Sequence, residues 1–430
     1  MFRSFLCIFS VFSVVGIVDL LAGSLKCDIT APIAILINAE NGNVLYEKNA
    51  RIKTYPASTT KVATALYGLK LKNQSLHNLV QVSHNSVAAV SPSIRRSGKH
   101  PSYRLEFGGS HMSLKAGEIL DFKSLIYGLM VCSGNDAANA IAEYTSGSIP
   151  NFIQGMNNYL REIGCQNTNF TNPHGLPDPE HMTTAYDLAL MTREAMKSPF
   201  FCDVVKSVRY SRPRTNKQEE SILVQSNALL KQGKFYYPYA IGVKTGYTVA
   251  AGSNLIAAAE KDGRRVIAVV LNCEDMNQRY RSCISLFDTA FNEIKVKRRL
   301  FSKDHDFFST SIEGGLQPVL SGLIRDIEFE YYPSEEVGVV ADIYWDALDL
   351  PITSGQKVGH IIVKDQNQKQ ILKESIYSKR EVNPTFSYKS KKIMNQMMMI
   401  LNQNKTYIAF LLGVIILVLT FFQLGKRKIS

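Results

Sequence analysis

Residues 240–272 read AIGVKTGYTVAAGSNLIAAAEKDGRRVIAVVLN. Ala240 to Val243, Asn254 to Glu260 and Arg265 to Asn272 have strand length and composition, and Lys261-Asp262-Gly263 supplies a hairpin turn between the last two. Lys244-Thr245-Gly246 continues the first of these strands. Working outward, Ile33 to Val44 (IAILINAENGNV) repeats the pattern as strand, Asn-Gly turn, strand, with Leu45-Tyr46 extending the second. Helical spacing fills the interval: Val62, Ala63, Leu66 and Leu69 give an apolar stripe over Thr59 to Leu71. Further helices are expected over Phe122 to Met130, Asp136 to Tyr144 and Ala185 to Met196, and Tyr280 to Phe291 closes the unit. Strands and helices in this mixed order predict an α+β domain.

The chain has 430 residues, room for about three structural units at roughly 150 residues each. Its 45% hydrophobic and 20% charged content excludes a largely disordered chain, a collagen-like repeat or a small disulfide scaffold. Beyond Arg299 the texture changes. Residues 300–383 carry alternating runs such as DIEFEYY, VGVVADIYW and KVGHIIVKD and predict a small all-β module. Residues 384–405 are polar and basic, with Met397 to Met399, and read as a linker or surface helix.

Both ends are apolar. Residues 4–18, SFLCIFSVFSVVGIV, follow Arg3 and precede Ala22, Gly23 and Ser24, the layout of a secretory signal over residues 1–24 with cleavage near Ser24. A lipoprotein reading through Cys27 fits poorly, because Ser-Leu-Lys precedes it. Thr406 to Gly425 is uncharged, dominated by YIAFLLGVIILVLTFFQL, and closed by Lys426, Arg427 and Lys428; its length suits a transmembrane helix. Export by the first segment and stop-transfer by the second put the body outside the cytoplasmic membrane.

Lysine and arginine exceed aspartate and glutamate by 49 to 37, a formal charge of +12. Much of that excess borders the terminal apolar segment, which reads as a membrane flank rather than a nucleic-acid footprint. None of the seven cysteines is spaced as CxxC, and the eight histidines form no HExxH or other close ligand pair. Neither a zinc ribbon nor a metal-dependent hydrolase is indicated, and no cofactor is expected.

Three short motifs carry chemistry, in this order: Ser58-Thr59-Thr60-Lys61 after Pro56, Ser133-Gly134-Asn135 between two helices, and Lys244-Thr245-Gly246 on a strand. An SxxK, an S-x-N element and a KTG together mark penicillin-binding proteins and class A β-lactamases. Positions three apart share a helix face, so Lys61 stands beside Ser58. A serine hydroxyl is a weak nucleophile that needs an adjacent base. A lysine can be that base only when neutral, which burial or a second cation such as Lys244 would bring about.

With PASTTK, LMVCSGNDAANAIAEY, NPHGLPDPEHMTTAYDLALM and IGVKTGYTVAAGSNLIAAA, residues 31–295 resemble the low-molecular-weight penicillin-binding proteins that act as serine-type D-alanyl-D-alanine carboxypeptidases. LPITSGQKVGHIIVKDQNQKQILKESIYS is similar to the C-terminal β domain of that family. The resemblance implies a penicillin-binding, β-lactamase-like transpeptidase domain, a small all-β domain and a C-terminal membrane attachment. It implies that Ser58 attacks the carbonyl between the last two D-alanines of a peptidoglycan stem peptide and that Lys61 takes the proton. Ser133 would relay a proton to the leaving amine, while Asn135 holds the substrate amide. Lys244 and Thr245 would bind the terminal carboxylate, Gly246 lets the substrate approach, and the backbone N–H groups of Ser58 and Tyr247 form the oxyanion hole. β-Lactams would acylate Ser58 as substrate mimics.

Two departures stand out: Tyr247 replaces a frequent histidine, and Ser226 and Asn227 stand where relatives carry an arginine. No Glu-x-x-Leu-Asn element lies between Asn135 and Lys244, which argues against a β-lactamase. A D,D-endopeptidase acting on cross-links, or a wall-associated scaffold with a decayed site, are the alternatives.

Overall fold

The computed structural model describes residues 24–72, 75–336, 338–365, 368–403, 413–415 and 417. They form two compact units, one of the described residues up to 294 with 332–335, the other of 295–331 and the residues after 335.

The first unit is built on a five-stranded antiparallel sheet. Its strands are β1 (Ile33–Asn38), β2 (Val44–Lys48), β3 (Ala240–Thr248), β4 (Gly252–Lys261) and β5 (Arg264–Cys273), in the order β2-β1-β5-β4-β3. The expected hairpin around Lys261-Asp262-Gly263 is present, with Asp262 and Gly263 at φ of 50° and 78°. Side chains alternate across a strand, and here both faces are covered, so the central strands are apolar throughout. Ile35, Ile37, Ile267 and Val269 face one core; Leu36, Leu255, Val270 and Ala268 face the other. Each large aliphatic side chain so buried contributes on the order of 1.5–3 kcal/mol.

The first core is closed by helices α1 (Lys61–Lys72), α2 (Phe122–Met130), α3 (Asn135–Ser146), α4 (Ile149–Glu162) and α5 (Ala185–Ala195). The second is closed by α6 (Met276–Phe291), through Tyr280, Cys283, Leu286 and Phe287. Residues 61–66 and 68–69 of α1 are all buried, so this helix is central rather than amphipathic. Regular α geometry begins at Lys61 and not at Thr59, because Ala57–Thr60 forms a tighter 3-10 turn. Helix α4 has no counterpart among the helices expected from the sequence. Its signals are a Ser148 cap on Asn151 N, Pro150 in the first turn, and Phe152, Met156 and Leu160 on one face.

The second unit pairs Val296–Phe301 with Ile327–Tyr331 and forms a five-stranded antiparallel sheet. Its order is Phe307–Thr310, Val319–Gly322, Gln370–Ser378, Lys357–Asp365, Val339–Trp345. Val319, Leu350, Ile352, Val358, Ile361 and Ile376 fill its core. Phe386–Gln403 is a helix whose Met394, Met397, Met398 and Met399 are exposed. Among the described residues no helix is long and apolar enough to cross a membrane. The expected signal over 1–24 lies outside the described residues but for Ser24, and the expected span over 406–425 does so but for 413–415 and 417.

Candidate active site

Ser58 is the second residue of the 3-10 turn that leads into α1. Ala57 before it holds φ at 50°, a left-handed conformation that non-glycine residues adopt only when their surroundings enforce it. Three sets of contacts do so. The Thr59 and Thr60 hydroxyls donate back to the Pro56 and Ala57 carbonyls at 2.7 and 2.9 Å. Asn254 on β4 donates from Nδ2 to the carbonyls of Tyr55 and Pro56, both at 3.0 Å. Gly175, at φ 96°, lies so near that a Cβ there would overlap the Ala57 carbonyl.

Lys61 stands one turn beyond Ser58 and is fully buried. Its Nζ is 2.9 Å from Ser58 Oγ, 2.7 Å from Asn135 Oδ1 and 2.6 Å from the His174 carbonyl. The two latter oxygens can only accept. A neutral amine would give them both of its N–H groups and turn its lone pair to the Ser58 hydroxyl, the arrangement a base requires. Burial, and then the charge of Lys244, hold the Lys61 ammonium well below the ordinary lysine value.

Asn135 opens α3, and the next residue fastens the loop around it. The Asp136 carboxylate accepts from the backbone N–H groups of Met112, Leu114 and Ala137, each at 2.9 Å. Ser133 is held at φ 63°, and its buried Oγ has no hydrogen-bond partner among the described residues. An unmet buried hydroxyl costs about 1–3 kcal/mol and is the kind of group a substrate satisfies. The neighbouring Cys132 thiol is pushed up to about 11 by burial, with Asp136 adding to the effect, so it stays protonated at neutral pH and does not compete as a nucleophile.

The third motif lies on edge strand β3. Lys244 is buried, donates from Nζ to the Thr245 carbonyl at 3.0 Å, and is lowered to about 7, chiefly by burial, with Arg279 adding a like charge. Thr245 Oγ1 is 2.6 Å from Ser226 Oγ. Gly246 abuts the nucleophile turn: a Cβ there would be 3.0 Å from Pro56 O and 3.1 Å from Ser58 N. Tyr247 is 63% exposed at the rim. In Gly246→Ala the added methyl wedges β3 away from Ser58, so acylation by penicillin should slow roughly 100-fold while Tm stays within a few degrees. An unchanged acylation rate would show that the close approach is dispensable.

Sequence reasoning missed several supporting residues. Arg279 of α6 is almost wholly buried, and its Nη1 donates to the carbonyls of Gly246 and Asn254 at 3.3 and 3.4 Å, holding β3 and β4 from behind. The signal was there: an arginine four residues before Cys283 on the otherwise apolar face. His181 Nδ1 accepts from Thr171 N at 2.9 Å, and its Nε2 lies 2.9 Å from Thr60 Oγ1. The Thr60 hydroxyl already donates to Ala57 O, so the His181 Nε2–H is the donor in that pair. Burial, followed by the charge of Lys61, lowers His181 to about 3 and keeps it neutral. His174 and Gly175 present a carbonyl to Lys61 and a close packing surface to Ala57.

The model of the D-alanyl-D-alanine carboxypeptidase family, Peptidase_S11, matches residues 22–275. The chain belongs to this family. D-alanyl-D-alanine carboxypeptidase DacF of Bacillus subtilis is 31% identical over 82% of the chain and 85% of its own length. DacA of Haemophilus influenzae is 28% identical, covering 80% of the chain and 83% of its own length. The crystal structure of penicillin binding protein 5 from H. influenzae, at 26% identity, covers 84% of this chain and all of that one with a TM-score of 0.56. The protein is a serine-type carboxypeptidase of that family with the penicillin-binding α+β fold.

Proposed function

We propose that the protein removes the terminal D-alanine from peptidoglycan stem peptides through an acyl-enzyme on Ser58. The observation that carries this reading is the Lys61 amine, 2.9 Å from Ser58 Oγ and held there by two further acceptors. Lys61 takes the hydroxyl proton as Ser58 Oγ bonds to the carbonyl carbon between the two D-alanines. The oxyanion is met by the backbone N–H groups of Ser58 and Tyr247. The C–N bond then breaks, and Ser133 passes the proton to the departing amine. Asn135 holds the substrate amide and Lys61 together, Lys244 and Thr245 receive the terminal carboxylate, and Gly246 gives the substrate room beside β3. Water hydrolyses the ester and restores Ser58. β-Lactams enter the same first step and stop at the acyl-enzyme.

The full chain in detergent should release D-alanine from a peptide ending in D-Ala-D-Ala and gain the mass of one penicillin on the peptide containing Ser58. No release from folded protein, or penicillin on a different residue, would refute the reading. We further propose that the apolar runs at 4–18 and 406–425 are an export signal and a membrane span, leaving the catalytic unit and the β module on the outer side of the cytoplasmic membrane.

The two lysines set opposite limbs of the pH profile. Activity rises as Lys61 loses its proton and becomes a base, and falls as Lys244 loses the charge that receives the carboxylate. With Lys244 lowered to about 7, the descending limb of kcat/KM begins near neutrality in the free enzyme. Lys244→Arg should move that limb beyond the measurable range, because a guanidinium does not titrate there. A descending limb unmoved in the variant would assign it to another group.

A further inference from the structure

The peptide unit between Ala57 and Ser58 has two differently occupied sides. A peptide unit is planar, with C=O and N–H pointing in opposite directions, so whatever holds the Ala57 carbonyl also aims the Ser58 N–H. A Cβ on Gly175 would overlap the Ala57 oxygen, whereas a Cβ on Gly246 of β3 would lie 3.1 Å from Ser58 N. The nitrogen therefore lies toward β3, where the reaction proposed above develops its oxyanion. The carbonyl lies on the opposite side, toward Gly175.

On that side a chain of three hydrogen bonds ends on the carbonyl. Thr171 N donates to His181 Nδ1 at 2.9 Å, His181 Nε2 lies 2.9 Å from Thr60 Oγ1, and the Thr60 hydroxyl donates to Ala57 O at 2.9 Å. The first bond fixes the direction of the others. A backbone N–H can only donate, so Nδ1 is the accepting nitrogen of the neutral ring and Nε2 carries the proton. That proton occupies a lone pair of Thr60 Oγ1 and leaves the one Thr60 O–H for the Ala57 carbonyl.

His181 is held independently of the turn it supports. Its side chain is buried, and its ring stacks on Phe170 with centroids 4.9 Å apart. The residues that follow it are tied on both sides: Met182 exchanges backbone hydrogen bonds with Asn169 at 2.9 and 3.0 Å, and Thr183 with Thr54 at 2.8 and 3.0 Å. Burial, followed by the charge of Lys61, keeps the ring neutral, the form in which Nδ1 accepts.

We propose that His181 is a positioning residue of the Ser58 reaction: acting through Thr60, it fixes the Ala57–Ser58 peptide so that the Ser58 N–H stays aimed at the developing oxyanion. The inference rests on the acyl-enzyme reading given above. Because the donor is set before substrate arrives and is used fully only as charge develops, loss of His181 should slow acylation without weakening the initial encounter.

The test replaces the two ring nitrogens one at a time. In His181→Gln the amide nitrogen reaches the place of Nε2 and can still donate to Thr60. In His181→Asn the shorter amide matches Nδ1 and leaves Thr60 without its donor. The full chain in detergent is titrated with penicillin, so that the dissociation constant of the first complex is separated from the acylation rate constant. The Asn variant should acylate about tenfold slower with that dissociation constant unchanged, whereas the Gln variant should stay within roughly threefold of the parent. Both lose the ring that stacks on Phe170, so a merely structural role would slow them alike. In a Thr60→Val background the difference between Gln and Asn should disappear, since the chain of hydrogen bonds is already cut. Equal rates in the two variants, a difference that survives Thr60→Val, or a loss confined to the dissociation constant overturns the proposal. If neither variant at 181 is recovered folded, Thr60→Val is set against Thr60→Ser: the valine should acylate about tenfold slower than the serine, which keeps the hydroxyl, and equal rates overturn the proposal. Penicillin on a residue other than Ser58 in the parent enzyme would instead overturn the reading on which it rests.

Discussion

In Ser58→Ala, release of D-alanine falls to background and penicillin no longer adds its mass to the protein. The expected loss is about 10⁴-fold or more, since a nucleophile that forms the covalent intermediate has no substitute. The change should leave the fold intact. Among the described residues Ser58 Oγ makes one hydrogen bond, with Lys61, which retains Asn135 Oδ1 and the His174 carbonyl as acceptors. Circular dichroism and Tm close to the parent's would therefore accompany the loss. Penicillin bound covalently to the Ser58→Ala variant would move the nucleophile elsewhere, with Ser133 the first candidate because its buried hydroxyl has no partner among the described residues.

Lys61 gives the second large effect. Lys61→Arg keeps a positive charge and hydrogen-bond donors but has no lone pair at neutral pH, and its fork must fit a fully buried site shaped for one amine. Lys61→Met keeps the length and the apolar stem while leaving Asn135 Oδ1 and the His174 carbonyl without a donor. Both should lower the rate of penicillin acylation by roughly 10²–10⁴, the range of a general base. Both should also lose the ascending limb of the pH profile. The methionine variant carries the further cost of two unmet buried acceptors, on the order of 1–3 kcal/mol each, and should melt lower. Acylation at parental speed in either variant would show that another group takes the Ser58 proton.

These expectations draw on different sources. Ser58, Lys61, Asn135 and Lys244 can be named from three motifs in order, because i,i+3 spacing on a helix and a strand-borne KTG describe local geometry that neighbouring residues impose. The β3–β4–β5 meander is readable for the same reason, from turn residues and strand-length apolar runs. The groups that hold the site are not readable this way. Asn254 is one polar residue in an apolar strand, and nothing in its surroundings says that it reaches the carbonyls of Tyr55 and Pro56, almost 200 positions earlier in the chain. Arg279 looks like any helix arginine until its burial behind Gly246 is seen. Helix α4 is a different case, since its cap and apolar spacing are visible in the sequence yet escape a reading centred on the motifs.

The sequence by itself determined the chemistry and the class of fold. A nucleophile, a base one turn away and a second cation on a strand are local patterns, and hydrophobic periodicity follows from the 2.0 and 3.6 residue repeats of strand and helix. Only the tertiary structure decided what makes that chemistry workable. The depressed Lys61 ammonium depends on burial and on Lys244, which is 183 positions away along the chain (244 − 61). The left-handed Ala57 depends on contacts from Gly175 and β4. Desolvation and pairing are properties of neighbours in space, and a linear pattern records only neighbours along the chain.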